Sequence, residues 1–180
     1  MRIKRENSAG LLIDIQEKLF PHMDNKEALL RKSSILIEGL KVLDIPIVLT
    51  EQYPKGLGST IEDLAALIDQ GRPIEKIAFS CCDEPAVMQD PVMQSRKTII
   101  IFGIEAHVCV LQTVIDLREA GYTAVVVVDC ISSRNPMDKR VALARMREEG
   151  AVITSCESIL FELARIAGTE EFKAISRLVK

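Results

Sequence analysis

The sequence predicts an α/β domain of three layers, with a mainly parallel, doubly wound sheet between two layers of helices. Short apolar runs alternate along the chain with segments of helical periodicity, which is the order of elements in such folds. Two of these runs, 97–103 and 123–130, are largely apolar and β-branched, as strands are when helices cover both faces of a parallel sheet. The chain has 180 residues, of which 48% are hydrophobic, so we expect one globular domain over residues 1–180.

Six segments are predicted to be strands, because short runs rich in Ile, Val and Leu lie between turn residues. The first of them ends at Asp14, where a charged side chain follows an apolar run. The loops 50–59 and 132–138 are rich in Gly, Pro, Ser and Asn. The predicted strands, in chain order, are 8–14, 45–50, 72–80, 97–103, 123–130 and 151–155.

Apolar residues at a spacing of about 3.6 residues predict the helices that connect and follow these strands. Ser59 or Thr60 is expected to cap the second helix at its N-terminus, and Gly121 is expected to end the third. The predicted helices are 25–43, 59–68, 107–121, 138–150, 156–168 and 170–180.

Charge and hydropathy limit the classes of partner. The net charge is -3 with both signs interspersed, which is not the pattern of a protein that binds nucleic acid. The apolar runs reach about half of the ~20 residues that a membrane span needs, and the first ten residues lack the apolar core of a signal peptide. We therefore expect a cytoplasmic protein that acts on a small molecule, without a membrane or nucleic-acid partner. Its five cysteines, an odd number, are expected to be free thiols.

Four polar residues lie in or just after the predicted strands. Asp14 closes the first strand, Gln52 follows the second, Lys76 lies in the third and Cys109 follows the fourth. In doubly wound sheets the ligand binds beyond the carboxyl ends of the strands, where the winding direction reverses. A nucleophilic cysteine needs a helix N-terminus, a cation or a base, and Lys76 and Asp14 are a candidate cation and base. The third strand lies away from the reversal, so the Lys76 side chain must reach inward.

Three segments of the sequence are informative through their order and spacing. They are LLIDIQEKLF, EKIAFS and GIEAHVCVLQTVIDLREAGY. In this arrangement they resemble the isochorismatase-like hydrolases, also called cysteine hydrolases. TEQYPKGLGST and DCISSRNPMDKRVALARMREEGAVITSCESILFEL are similar to the isochorismatase domain-containing branch of that family. The resemblance covers nearly the whole chain. It implies a Rossmann-like sheet of six parallel strands flanked by helices, in a dimer or larger homo-oligomer.

The resemblance also implies a catalytic triad of Asp14, Lys76 and Cys109, with no cofactor. It implies a cis peptide bond between Ile104 and Glu105, just before the nucleophile. The backbone N–H groups of Glu105 and Cys109 would then face an oxyanion. The implied reaction is hydrolysis of a small amide or imide through a thioester on Cys109.

Enzymes with two related activities are less similar to this sequence. The nicotinamidases of the same superfamily bind a metal ion through an Asp and two His, whereas the two histidines here, His22 and His107, stand in unrelated contexts. Isochorismatases proper cleave a vinyl ether and generally lack the cysteine. The presence of Cys109 therefore favours amidase-type chemistry without a metal.

Each candidate residue also has a plainer interpretation. Cys109 could be a small buried apolar residue, and Asp14 could only cap the helix that follows it. Lys76 has no special role if it lies on an exposed edge of the sheet. Gln52 and Tyr53 are candidate substrate contacts, although polar side chains in loops are commonly just solvated.

Other cysteine and histidine residues, and two other functions, are alternatives to the triad. His107 lies two residues before Cys109, but a neighbour in a turn need not face the sulfur, so a Cys–His dyad is set aside. The adjacent Cys81 and Cys82 could form a redox pair, or one of them could border the pocket. A non-catalytic oligomeric binding or scaffold protein of this fold is the alternative function. A dinucleotide enzyme would need G-x-G-x-x-G after the first strand, where IDIQEK stands instead.

Overall fold

One parallel sheet of six strands forms the centre of the computed structural model, which describes residues 1–68 and 72–180. The strands are β1 Ser8–Ile13, β2 Ile47–Gln52, β3 Ile74–Lys76, β4 Thr98–Ile104, β5 Thr123–Ser132 and β6 Val152–Thr154. They lie in the order β3–β2–β1–β4–β5–β6, and each neighbouring pair is parallel. The winding direction reverses between β1 and β4. This topology confirms the predicted Rossmann-like α/β fold.

Helices cover both faces of the sheet. They are α1 Lys26–Val42, α2 Pro54–Leu57, α3 Glu62–Ala65, α4 Pro85–Met88, α5 Pro91–Ser95, α6 Leu111–Glu119, α7 Pro136–Glu148, α8 Cys156–Ala164 and α9 Glu170–Leu178. Short 3-10 turns occupy Arg5–Asn7, Phe20–His22 and Cys81–Asp83, and a π-helical turn, Ala106–Val110, leads directly into α6. No helix in the described ranges is both long enough and apolar enough to cross a membrane.

Alternation along the strands sends successive side chains to opposite layers. Leu12 and Phe102 are fully buried in the cluster that includes the apolar residues of α1, α8 and α9. Leu11 and Ile101, one position earlier on the same strands, are fully buried in the cluster that includes those of α6 and α7. Both faces are thus apolar, which explains why the central strands show no alternation of polar and apolar residues.

The third strand is shorter than predicted. β3 occupies only three residues of the predicted range 72–80. After Lys76 the chain turns, and the carbonyl groups of Ala78 and Phe79 accept hydrogen bonds from the Lys76 ammonium. These carbonyls therefore accept hydrogen bonds from a buried cation. In a longer β3 they would instead accept hydrogen bonds from a neighbouring strand.

The second and third predicted helices also differ from the structure. α3 spans only four residues, and neither Ser59 nor Thr60 caps it, because its N-cap is Ile61 without a side-chain hydrogen bond. The Thr60 hydroxyl instead donates to Glu51 at 2.9 Å. The helix predicted over 107–121 begins with the π-helical turn, so regular α-helix starts only at residue 111. The short helices α2, α4 and α5 were not predicted, since four or five residues are too few to show a helical period.

Gly103 in β4 occupies a position that admits no side chain. Its φ is +134°, and a Cβ atom there would overlap the carbonyl oxygen of Ile13 and lie 2.7 Å from the Ile13 nitrogen. Because both atoms belong to the backbone of β1, the clash is relieved only by moving the strands apart. We expect Gly103→Ala to cost about 3 kcal/mol or more of stability and to lower the melting temperature by about 10 °C.

Gly121→Ala is the matched control for this substitution. Gly121 also has a positive φ, +80°, but nothing lies within 4 Å of an added Cβ. The control should therefore lose only about 1 kcal/mol, the cost of a side chain at positive φ. Equal melting temperatures for the two alanine variants would contradict the assignment of Gly103 as a close contact between β1 and β4.

Candidate active site

Asp14 follows β1 at the point where the winding reverses, and its side chain is fully buried. Two donors hold its carboxylate. The Thr50 hydroxyl donates to Oδ1 at 2.8 Å, and the Lys76 ammonium donates to Oδ2 at 2.7 Å. Thr50 and Gln52 lie on the same face of β2, because side chains alternate along a strand. This spacing is the sequence signal that could have identified Thr50 as part of the site.

Lys76 starts from β3, the outermost strand on its side of the sheet, and its side chain has 0% exposure. Its ammonium lies within 3.2 Å of four oxygen atoms, those of Asp14, Gln52, Ala78 and Phe79. An ammonium has three N–H groups, so these acceptors use its full donor capacity. Lys76 therefore reaches inward, and it is not a solvated side chain on the edge of the sheet.

The charge on Lys76 is stabilised despite its burial. Burial, the largest single cause, lowers the pKa of this ammonium, but the Asp14 carboxylate together with Cys109 and Cys81 outweighs it and holds the pKa of Lys76 above its ordinary value. The side chain is thus a fixed cation. Because its N–H groups are all engaged, it acts on the site through Asp14 and through its charge.

Cys109 lies in the π-helical turn that precedes α6, with 6% of its surface exposed. Burial raises the pKa of its thiol well above the ordinary value. The negative charge of the nearby Asp14 carboxylate raises this pKa further, whereas the charge of Lys76 lowers it. The expectation that Lys76 favours a thiolate is right in direction, but burial and Asp14 outweigh it. The resting state is therefore a protonated thiol beside a carboxylate.

The backbone before Cys109 has an unusual geometry. The peptide bond between Ile104 and Glu105 is cis, at the position that the resemblance implies. Glu105 then precedes the π-helical turn, and its carbonyl accepts hydrogen bonds from the N–H groups of Val108 and Val110. The Glu105 carboxylate binds both the backbone N–H and the guanidinium of Arg134, each at 3.1 Å. The loop after β5 thereby holds the segment that carries Cys109.

His107 faces that same loop. Its Nδ1 lies 2.9 Å from the Ser133 hydroxyl, and its Nε2 lies 3.9 Å from the Asp138 carboxylate. The ring is thus held by a hydrogen bond to the residue that follows β5, and its other nitrogen lies near α7. This arrangement supports setting aside a dyad of Cys109 and His107.

All five cysteines are free thiols, as predicted. Cys81 borders the site, since its sulfur lies 3.9 Å from the Thr50 hydroxyl oxygen and its N–H donates to Thr113. Burial raises the pKa of Cys81 to about 11 and that of Cys82 to about 12, and both therefore stay protonated near neutral pH. Neither thiol has the lowered pKa of a redox-active pair.

The two candidate substrate contacts differ in their surroundings. The Gln52 side chain is buried, and its amide binds Lys76 and the Ile77 carbonyl. Tyr53 is half exposed, and its backbone N–H donates to the Lys76 carbonyl at 2.9 Å. Of these two residues, Tyr53 is therefore the one with a solvent-exposed side chain. Within the ranges 1–68 and 72–180, no three His, Cys, Asp or Glu side chains are grouped as metal ligands.

Known proteins are similar to this chain in sequence and in fold. The sequence profile of the isochorismatase domain matches residues 8–158. Isochorismatase domain-containing protein 2A of Mus musculus is 39% identical over 181 residues, which cover 99% of this chain and 85% of the relative. Isochorismatase family protein 1B of Dictyostelium discoideum is 40% identical, over 99% of this chain and 89% of its own.

Among solved structures, one described as the MAR1 ribonuclease of Caenorhabditis elegans superposes with a TM-score of 0.92 at 37% identity, covering 99% of this chain and 92% of its own. One assignment follows from these likenesses, from the order of the strands and from the motifs around Asp14, Lys76 and Cys109. The chain belongs to the isochorismatase family, in its isochorismatase domain-containing branch.

Proposed function

We propose that this protein is a cysteine hydrolase that cleaves the C–N bond of a small amide or imide through a thioester on Cys109. The observation that carries the proposal is the buried carboxylate of Asp14, which accepts a hydrogen bond from the Lys76 ammonium at 2.7 Å and whose charge, after burial, is the next cause of the raised pKa of the Cys109 thiol. A base, a fixed cation and a nucleophile thus meet at the carboxyl ends of the strands, where this fold binds ligands.

In the first step, Asp14 takes the thiol proton as the Cys109 sulfur attacks the carbonyl carbon. The C=O π bond becomes an oxyanion, which the backbone N–H groups of Glu105 and Cys109 stabilise. These groups are suited to this role, because both lie at the start of a helical segment, where backbone N–H groups can bind an anion. Since the thiol is protonated at rest, proton transfer and attack are coupled in one step.

In the second step, the tetrahedral intermediate collapses and the C–N bond breaks. Asp14 returns its proton to the leaving nitrogen, so that an amine or ammonia departs and the acyl group remains on Cys109. A water molecule then attacks the thioester, and Asp14 accepts its proton. Collapse releases the carboxylic acid and the thiolate recovers the proton from Asp14. The scheme uses no metal ion and no cofactor.

Lys76 acts as a positioning residue in this scheme. Its ammonium neutralises and orients the Asp14 carboxylate, which would otherwise be a buried charge without a partner. Its positive charge also offsets the negative charge that develops during attack. Arg134, held on Glu105, orients the segment that provides the oxyanion donors.

Ribonuclease activity is the second candidate, because the similar C. elegans structure is described as a ribonuclease. A phosphodiester substrate would call for cations that are free to bind phosphate. The ammonium of Lys76 is fully used by protein oxygens, and the net charge of the chain is -3. These features favour the amide. RNA is nevertheless a required substrate in the test, since its Cys109-dependent cleavage would replace the amide proposal.

The proposal is tested by screening small amides and imides for release of ammonia or amine, with the parent protein and with Cys109→Ala. We expect at least one compound to be hydrolysed by the parent, and we expect Cys109→Ala to lower kcat by a factor of about 10³ or more. Cys130→Ala is the matched control, because this buried thiol lies in the cluster on the other face of the sheet. Hydrolysis that persists in Cys109→Ala would contradict the proposal, and a screen without any Cys109-dependent turnover would favour a non-catalytic binding protein.

A further inference from the structure

Both polar atoms of the Gln52 side-chain amide have a hydrogen-bond partner within the protein. Its Oε1 accepts a hydrogen bond from the Lys76 ammonium at 2.8 Å, and its Nε2 donates to the Ile77 carbonyl at 2.7 Å. Gln52 and Lys76 are also register partners on the parallel strands β2 and β3. The two side chains therefore lie side by side, and the Lys76 ammonium contacts the Gln52 oxygen and the Asp14 carboxylate at the same time.

A second glutamine holds the first. Gln16, which is fully buried, accepts the backbone N–H of Gln52 at 2.7 Å and donates to the Gln52 carbonyl at 3.0 Å. It also donates to the Gly58 carbonyl at 2.7 Å. The end of β2 is thus tied by side-chain hydrogen bonds on the side where its neighbour β1 has already ended, since the β1–β2 pairing stops at Thr50.

The position of β3 explains why such a clamp is needed. β3 is an edge strand, and β2 separates it from β1, which carries Asp14. A lysine has a long flexible side chain, and fixing it in one conformation costs side-chain entropy. Fixed acceptors on both sides of the ammonium offset that cost and define where the charge lies.

The chemistry of an amide suits this location. A carboxylate at position 52 would compete with Asp14 for the ammonium, whereas a neutral amide oxygen accepts a hydrogen bond and leaves the ion pair between Lys76 and Asp14 intact. Both polar atoms of the Gln52 side chain already have a partner inside the protein and the residue is buried, so its hydrogen bonds are directed to Lys76 and the Ile77 carbonyl before any substrate binds.

We propose that Gln52 is a positioning residue, not a substrate contact: it holds the Lys76 ammonium on the Asp14 carboxylate, and Gln16 fixes Gln52 in turn. This inference rests on the proposed function, in which Lys76 orients the general base. It makes a prediction for the free protein, so it can be tested without a substrate.

The test follows the Lys76 ammonium by ¹H–¹⁵N correlation NMR of the ¹⁵N-labelled full chain. The parent should show a slowly exchanging lysine ammonium signal that is lost in Lys76→Arg, which assigns it. In Gln52→Met this signal should shift and its protons should exchange about tenfold faster, since one hydrogen bond to a charged group is lost. Gln52→Glu keeps an oxygen of the same reach and should retain the slow exchange.

Gln94→Met is the matched control, because Gln94 is an exposed glutamine on α5. It should leave the ammonium signal unchanged. If Gln52→Met does not fold, Gln52→Asn replaces it, since the shorter amide cannot reach the ammonium. A merely structural role would lower the melting temperature of the Gln52 variants and leave the signal in place.

An unchanged ammonium signal in folded Gln52→Met would overturn the inference and return Gln52 to the list of substrate contacts. That outcome is separate from a failure of the proposed function. The screen of amides can fail while the signal changes as expected, and the signal can stay unchanged while Cys109-dependent hydrolysis is found.

Discussion

Asp14→Asn is expected to abolish amide hydrolysis while making the Cys109 thiol react faster with iodoacetamide. The asparagine keeps the shape of the side chain but removes the base that accepts the thiol proton and returns it to the leaving nitrogen. General acid–base catalysis contributes a factor of about 10² to 10⁴, so kcat should fall by at least that range. Turnover of an amide found in the screen gives this measurement.

The effect on the thiol has the opposite sign. Burial is the main cause of the raised pKa of Cys109, and the charge of Asp14 is the next. Replacing that charge by a neutral amide lowers the pKa, and each pKa unit gives about a tenfold larger thiolate fraction at a fixed pH. Alkylation of Cys109 at pH 8 should therefore be about tenfold faster or more in Asp14→Asn than in the parent.

Asp116→Asn is the matched control, because Asp116 lies on α6 and is not among the causes of the raised pKa of Cys109. It should change neither turnover nor alkylation. If Asp14→Asn slowed alkylation together with turnover, Asp14 would be activating the thiol at rest, and the coupled proton transfer proposed here would be wrong.

Lys76→Met is expected to destabilise the fold by about 3 to 5 kcal/mol, because it leaves the Asp14 carboxylate buried without its cation. Both side chains of this ion pair have 0% exposure, so water cannot replace the lost partner without a rearrangement. Urea denaturation at pH 7 measures the loss.

The double variant Asp14→Asn, Lys76→Met is the control for charge. It removes both members of the pair, so it should be more stable at pH 7 than Lys76→Met alone, although two residues are changed. A double variant less stable than both single variants would indicate that packing of the lysine stem, and not the unpaired charge, is what Lys76→Met disrupts.

The fold was predictable because the central strands are apolar on both faces. Runs such as those of β4 and β5 are typical of a parallel sheet whose two faces are covered by helices, and such runs predicted the positions of the central strands. Element ends were less predictable. β3 stops at Lys76 because the next carbonyls turn to the ammonium, and this depends on a buried cation that a local pattern does not reveal.

Most of the candidate site follows from a topological rule. Asp14 directly follows β1, and Cys109 lies in the turn after β4, so the two residues follow the strands between which the winding reverses and their convergence was foreseeable. The hydrogen-bond partners were not. Gln16 and Thr50 join the site through contacts across 36 residues of sequence, and such contacts depend on which strands become neighbours. The protonation of Cys109 likewise depends on burial, which the sequence indicates only coarsely.

The most direct test of the account is the identity of the residue that becomes acylated. The parent protein is mixed with an activated ester, p-nitrophenyl acetate, quenched in acid within the first turnovers and analysed by peptide mass spectrometry. The account predicts one acetyl group, on Cys109, with Cys81, Cys82, Cys130 and Cys156 unmodified. Acetylation of the other cysteines, with none on Cys109, would contradict the claim that Cys109 is the nucleophile.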